Sequence, residues 1–229
     1  YCRCAYKDLT HKAFLHIDNI YHSPYILESW SERHGSPFIA EMFREGRIGE
    51  DPVETYKRVN GLSQAEFNDQ MFADICQQIN MDYERVRENA RPYANQWSTP
   101  MDTVNGRLMP KADHCPENYG FNALAMEVPK PGKSVTVDFL GEAGHEGYYA
   151  KNIDKAGWRY GFVAVDADGN THYSPIYSSL KRKVKYTAPA GKALQHLWFV
   201  VMGAPAEHWR NIDGPDNPGD AQWPYSLRL

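Results

Sequence analysis

Cysteine is scarce in this chain, with four among 229 residues. That is too few for the disulfide framework of a small secreted domain. Cys2 and Cys4 are separated by one residue, which fits neither a relaxed disulfide between them nor the CxxC pair of a zinc knuckle. We expect Cys76 to be a small buried hydrophobe in a helix and Cys115 to lie in a loop. The disulfide state and the compartment stay open.

Long apolar runs and an excess of basic charge are also lacking. No segment has the roughly eighteen consecutive apolar residues of a membrane-spanning helix, so we expect no transmembrane segment. The net charge is -4, whereas a nucleic-acid-binding domain is normally basic, so we expect no nucleic-acid partner. The one dense basic stretch, LKRKVKY at 180–186, is interpreted as a solvated strand edge protected by lysines.

The N-terminus lacks the features of a secretory signal. The first residues, YCRCAYKDLTHK, form neither a charged n-region nor an apolar h-region, and there is no initiator Met. We therefore expect the chain to be a mature or trimmed product.

Complete catalytic motifs are missing as well. The HExxH zinc motif does not occur, and the nearest string, His145-Glu146, lacks the second histidine and stands among turn residues. The GxSxG nucleophile elbow does not occur either. The sequence therefore predicts organisation more firmly than activity.

The first part of the chain contains several patterns that predict the start of a helix. In Ser23-Pro24, Ser36-Pro37 and Asp51-Pro52 a capping side chain precedes a proline, which suits the N-cap and N1 positions of a helix. The capping box SQAE at 63–66 begins a longer segment with apolar residues at helical spacing. We predict that residues 1–100 form a helical bundle of short elements.

The pattern then changes to period two. The segment WRYGFVAVDADGNTHYS predicts two strands around an Asp168-Gly169 turn, LQHLWFVVMGA predicts a buried strand, and QWPYSLRL predicts a last strand. Such strands, separated by turn residues, indicate an antiparallel β-sandwich of jelly-roll type over residues 101–229. The predicted fold class is therefore α+β, with a helical domain and a sandwich domain.

Two groups of side chains in the second part are candidates for binding. The loop NIDGPDNPGDAQW brings together oxygen ligands that suit Ca²⁺, although such loops are also ordinary turns: Asp213, Asp216, Asn217 and Asp220. Three aromatic side chains could stack on sugar rings if exposed, or pack in the core: Trp158, Trp209 and Tyr225.

Two segments of the chain resemble known proteins. YHSPYILESWSERHGSPFIAEMFREG resembles the helix pair that follows the zinc-binding helices of gluzincin metallopeptidases. The C-terminal half, with GWRYGFVAVDADGN and LWFVVMGAPAEHWRN, looks like the terminal β-domain of an uncharacterised family of secreted bacterial proteins. Members of that family join such a domain to a gluzincin-like region. The resemblance covers nearly the whole chain, through structural motifs.

The resemblance implies a metallopeptidase-like protein that is extracellular or on the cell surface. Gluzincins hold zinc through the two histidines of HExxH and a later Glu. Glu28 is the candidate for that later ligand, or else a charged residue on the exposed side of its helix. With an upstream HExxH, the whole would be a zinc hydrolase acting on peptide or glycopeptide bonds. The alternatives are a module that binds glycans or a partner, and a scaffold that self-associates.

Overall fold

The computed structural model describes residues 9–16, 25–209 and 220–229. Within these residues, five α-helices precede nine β-strands. The helices are α1 Tyr25–His34, α2 Phe38–Glu45, α3 Pro52–Val59, α4 Gln64–Ile79 and α5 Arg87–Ala90. The strands are β1 Met101–Val104, β2 Arg107–Pro110, β3 Phe121–Ala125, β4 Ser134–Gly141, β5 Trp158–Asp166, β6 Thr171–Tyr173, β7 Lys181–Thr187, β8 Leu194–Gly203 and β9 Tyr225–Arg228.

Two of the predicted helix starts are confirmed by their capping bonds. Asp51 Oδ1 accepts a 2.9 Å hydrogen bond from Glu54 N, and the Glu54 carboxylate accepts one from Asp51 N, which completes a capping box. Ser63 makes the same box for α4. At α2 the N-cap is Pro37 instead of Ser36, and no side chain caps it. Ser23-Pro24 lies outside the described residues.

The nine strands form two antiparallel sheets. The five-stranded sheet has the order β1-β2-β9-β4-β7, and the four-stranded sheet has the order β3-β8-β5-β6. From β2 onward, consecutive strands mostly change sheet, so that β2-β9-β4-β7 faces β3-β8-β5-β6 in the order of a jelly roll. The predicted hairpin is confirmed, since β5 pairs with β6 across the Asp168-Gly169 turn.

One apolar core lies between the two sheets. It contains side chains of β4, β5, β8 and β9, among them Phe139, Tyr160, Phe199 and Tyr225. Phe139 stacks on Tyr160 with ring centroids 3.9 Å apart, so the facing strands of the two sheets are in direct contact.

A second core lies between the helices and the outer side of the four-stranded sheet. Alternate residues of β8, Trp198, Val200 and Met202, pack in this core with the buried side chains of α4. Their neighbours Phe199 and Val201 face the other sheet. Because both sides of β8 are covered, the strand is apolar almost throughout.

The predicted fold class is wrong in its N-terminal helical bundle. The described chain consists mostly of two antiparallel sheets, and its helices are short. Their apolar stripes share one core with the outer side of β3, β5 and β8, so the helices do not form a separate bundle. An amphipathic stripe shows only that one helix face is buried, and does not show which element covers it. The predicted boundary at residue 100 stays a prediction.

Candidate metal centre

Three side chains with metal-binding atoms meet near one end of the sandwich. His16 belongs to the irregular segment 9–16, Glu117 precedes β3, and Asp220 precedes β9. One ligand atom from each lies within 4.8 Å of the other two. Glu117 and Asp220 are only 3 % and 2 % exposed, and His16 is half-buried.

Backbone hydrogen bonds hold segment 9–16 beside the loop that carries Glu117. Glu117 N donates to His11 O at 2.8 Å, and Phe121 N donates to Thr10 O at 2.7 Å. In the other direction, Phe14 N donates to Asn118 O at 3.1 Å. The segment that carries His16 is therefore tied to the sheet along its length.

The loop before β9 is tied to the same place through Trp223. Trp223 N donates to Pro116 O at 2.7 Å, and the indole Nε1 donates to Asn118 Oδ1 at 2.8 Å. Two residues of one loop thus hold the segment in which Asp220 lies. Backbone and side-chain hydrogen bonds therefore hold together three segments that are remote in sequence.

Two glycines permit the close packing of this region. A Cβ atom on Gly203 would lie 2.3 Å from Glu117 O, and one on Gly120 would lie 2.1 Å from His11 O. Real Cβ atoms essentially never approach that closely, so the backbone could meet here only at residues without a side chain.

The Glu117 carboxylate is in an environment that disfavours its charge. Burial raises the pKa of Glu117 to about 7, and the neighbouring Asp220 acts in the same direction. The Lys12 ammonium, 3.3 Å from Oε1, and the Ala13 N–H, 2.8 Å from Oε2, act against this rise. Two acidic groups therefore share a buried site, and the Lys12 ammonium is a counter-charge to Glu117.

The donor set fits a divalent cation of the zinc type. Carboxylate oxygen and imidazole nitrogen bind Zn²⁺ at about 2.0–2.2 Å, whereas Ca²⁺ prefers six to eight oxygen atoms. Ligand atoms around an ion at such distances lie roughly 3–4 Å apart, so atoms within 4.8 Å of one another need only small side-chain rotations.

The predicted ligands have different positions in the structure. Asp220, one of the four calcium candidates, is in the cluster, whereas Asp213, Asp216 and Asn217 lie outside the described residues. Glu28, the zinc candidate, is bound by Arg85 through two hydrogen bonds, the one from Nε being 2.8 Å long. The ion pair accounts for this buried carboxylate, which is not in the cluster.

The aromatic side chains considered for sugar stacking are mostly internal. Trp158 is 2 % exposed and Tyr225 is fully buried, and both pack between the sheets. Trp209 is half-buried and lies against Trp223, with ring centroids 6.1 Å apart. Trp158 and Tyr225 therefore present no ring face to a ligand.

The two cysteines among the described residues, Cys76 and Cys115, are buried free thiols. Burial raises the pKa of both, so neither is a ready nucleophile. None of the described helices is both long and apolar enough to traverse a bilayer.

Sequence reasoning missed His16 and Glu117. The three ligands are 101 and 103 positions apart, so no spacing motif joins them. Each residue type is common, and no local pattern distinguishes Glu117 from the other acidic residues. The cluster becomes visible only once the three segments are placed in space.

Comparison with known proteins gives a family without an assigned activity. The model of a family described as a family of unknown function, DUF6055, matches residues 1–229. A comparison with curated proteins finds no match.

Proposed function

We propose that this chain, which belongs to the DUF6055 family, binds a divalent metal ion through His16, Glu117 and Asp220. One observation carries the proposal: an imidazole and two almost fully buried carboxylates, from three remote segments, have ligand atoms within 4.8 Å of one another. Buried carboxylates are costly, and in proteins they are paired or coordinate metals.

The charge of the cluster supports a cation. Glu117 and Asp220 bring two carboxylates into one buried place, with the Lys12 ammonium bonded to the first of them. A divalent ion at this place would attract both carboxylates, and it favours the ionised form of the groups that bind it. The same ion would oppose the effect of burial on Glu117.

The existing contacts of Glu117 leave room for a metal bond. A carboxylate has about four lone-pair sites. Lys12 Nζ is bonded to Oε1 and Ala13 N to Oε2, so each oxygen keeps a further direction for coordination. These contacts then serve to orient the ligand, as outer-shell partners commonly do in metal sites.

Zn²⁺ is the ion that we propose. Imidazole suits zinc better than it suits calcium or magnesium, and zinc sites bind more tightly than manganese or iron(II) sites with the same ligands. Three protein ligands are typical of zinc ions that also hold a water molecule and act as Lewis acids. Hydrolysis of peptide or glycopeptide bonds, implied by the gluzincin resemblance, stays a prediction, since His16, Glu117 and Asp220 are not an HExxH set.

Zinc titration of the metal-stripped chain tests the proposal. We expect one Zn²⁺ per chain by calorimetry, with His16→Ala and Asp220→Asn each weakening the affinity at least about tenfold, a loss that changes in outer-shell partners already cause. His16→Ala is the sharper variant because His16 is half-buried and its loss disturbs the core least.

Glu28→Gln is the matched control. It also neutralises a buried carboxylate, but one that is bound by Arg85 and lies outside the cluster. Its zinc affinity should equal that of the wild type. Equal affinities for the wild type, His16→Ala and Asp220→Asn would contradict the proposal, as would a preference for Ca²⁺ over Zn²⁺.

A further inference from the structure

Strand β7 places a row of lysines on one side of the sandwich. It is an edge strand of the five-stranded sheet, as predicted from LKRKVKY. Val184 and Tyr186 pack in the core, and Arg182 lies over the Tyr177 ring at 5.0 Å. Because side chains alternate along a strand, Lys181, Lys183 and Lys185 lie on the outer side of the sheet.

The neighbouring strands extend this row into a surface. In the register of β4 and β7, Asp138 is opposite Lys183, and in the register of β4 and β9 the same Asp138 is opposite Arg228. We call the four outward cations Lys181, Lys183, Lys185 and Arg228 the basic face. Asp138 is the one acidic residue on these three strands that shares their side.

The cations of the basic face outnumber the one carboxylate beside them, that of Asp138. Asp138 is 3.2 Å from a different cation, Arg107 of β2. Among the residues that the structure describes, none of the four basic-face side chains forms an ion pair. The whole chain carries a net charge of -4, so this concentration of positive charge runs against the overall composition.

We propose that the basic face binds an acidic polysaccharide. Alternate residues of a strand are about 6.5–7 Å apart, so the three lysines form a linear array suited to an extended chain with repeated anionic groups. Hydroxyl groups lie in the same area: Ser134 and Thr187 are opposite each other, with their oxygens 2.9 Å apart. They can bond to sugar hydroxyls, while the lysines pair with carboxylate or sulfate groups.

Other polyanions fit the surface less well. Sites for single-stranded nucleic acid combine basic groups with exposed aromatic rings. The aromatic residues of β4, β7 and β9, Phe139, Tyr186 and Tyr225, all pack in the core. Membrane-surface segments bring large apolar side chains beside their basic groups. Leu140 is the one apolar side chain among the outward residues of these strands.

Binding to immobilised polygalacturonate and dextran sulfate tests the proposal, with neutral dextran as the reference. We expect the chain to bind at least one acidic polymer, and to bind it more weakly as salt rises from 0.05 to 0.3 M. Lys181→Gln, Lys183→Gln and Lys185→Gln together should weaken binding about 3- to 100-fold, the effect of losing three exposed ion pairs.

The matched control removes the same charge from exposed positions outside these strands, through Arg44→Gln, Arg47→Gln and Lys151→Gln. Its affinity should stay within about twofold of the wild type. Circular dichroism and light scattering establish that both triple variants are folded and monodisperse.

Several results would overturn the proposal. The chain would bind neither acidic polymer in 0.05 M salt, or the two triple variants would lose affinity for the polymer equally. Tighter binding to oligo-dT or to vesicles with 30 % phosphatidylserine would also contradict the proposal. A β7 triple variant that self-associates but keeps wild-type affinity would overturn it too, because the lysines would then serve only to protect the strand edge.

Discussion

The imidazole of His208 lies 2.7 Å from the carboxylate of Asp51, and this contact joins the segment after β8 to the first turn of α3. The other ring nitrogen of His208 is 3.0 Å from the hydroxyl of Tyr119, which also accepts a hydrogen bond from Gln64. His208 and Tyr119 are both buried or nearly so. A buried polar network therefore fastens the helices to the sheet that carries them.

Asp51→Ala should lower the free energy of unfolding by about 1.5–5 kcal/mol, the sum of two losses. It removes an N-cap, typically about 0.5–2 kcal/mol, and it leaves Nε2 of the His208 ring without its partner, about 1–3 kcal/mol. Ser63→Ala is the control, because it removes a capping box of the same kind with no bond beyond its own helix turn. Urea unfolding of both variants measures the difference. Equal losses would show that the His208 contact adds nothing.

Gly203→Ala should disrupt the metal centre and the fold together. The new methyl group would lie 2.3 Å from both Glu117 O and Trp223 Cδ1, so the loop that holds Glu117 must move. We expect a loss of more than about 3 kcal/mol in the free energy of unfolding, at the upper end for overpacking.

Gly46→Ala is the matched control for that substitution. The nearest atom to its added Cβ is 3.4 Å away, and its φ of -56° is accessible to alanine. Its stability should stay within about 1 kcal/mol of the wild type. If Gly203→Ala is equally mild, the loop has more freedom than its contacts indicate.

The Asp166 carboxylate should make stability depend on acidic pH. A hydrogen bond with His172 is the largest cause that lowers the pKa of Asp166; burial opposes it, and bonds from Asn170 and Lys192 support it. The folded state thus keeps this group ionised at lower pH than the unfolded chain, whose Asp pKa is near 3.9. The stabilisation is complete above that value and is lost as pH falls through the folded pKa.

Asp166→Asn should accordingly be less stable than the wild type at pH 7. The gap between the free energies of unfolding of the two proteins should narrow below about pH 4. Denaturant unfolding at pH 7, 5 and 3 measures it. Asp168→Asn is the control, since it is an exposed residue of the same turn. A gap that stays constant with pH would show that the ionised carboxylate is not what stabilises the turn.

Trp158→Ala should lower the free energy of unfolding by about 3–5 kcal/mol, as expected for removing a large buried aromatic side chain. The ring packs between the sheets, and its Nε1 donates to Trp223 O at 3.1 Å. Trp209→Ala, at a half-buried position, should cost about 1 kcal/mol. If Trp158→Ala leaves thermal unfolding unchanged but abolishes binding to a glycan, the ring has a ligand-binding role instead.

The local elements of this fold could be predicted from the sequence. Asp51 and Ser63 cap helices because their side chains reach donors within three residues, and the Asp168-Gly169 turn joins β5 to β6 because glycine accepts its φ of +85°. The lysines of β7 also marked an edge strand correctly. In each case the residues that support the prediction lie within a few positions of the element that they form.

The wrong prediction of a helical bundle could not have been corrected from the sequence alone. Phe67, Phe72 and Ile75 form an apolar stripe that would look the same whether it faced other helices or a sheet. Likewise, Ser36-Pro37 and Asp51-Pro52 are similar in sequence, yet of the two only Asp51 makes the capping hydrogen bonds. The difference depends on how each helix is held by its surroundings.

The sequence by itself determined where α3 and α4 begin, which strand faces are apolar, and which turn joins β5 to β6, because these depend on backbone preferences and on side-chain periods over short distances. Only the tertiary structure decided that the helices cover β8, and that His16, Glu117 and Asp220 meet. Contacts between residues a hundred positions apart arise from the packing of whole layers, and no short pattern encodes them.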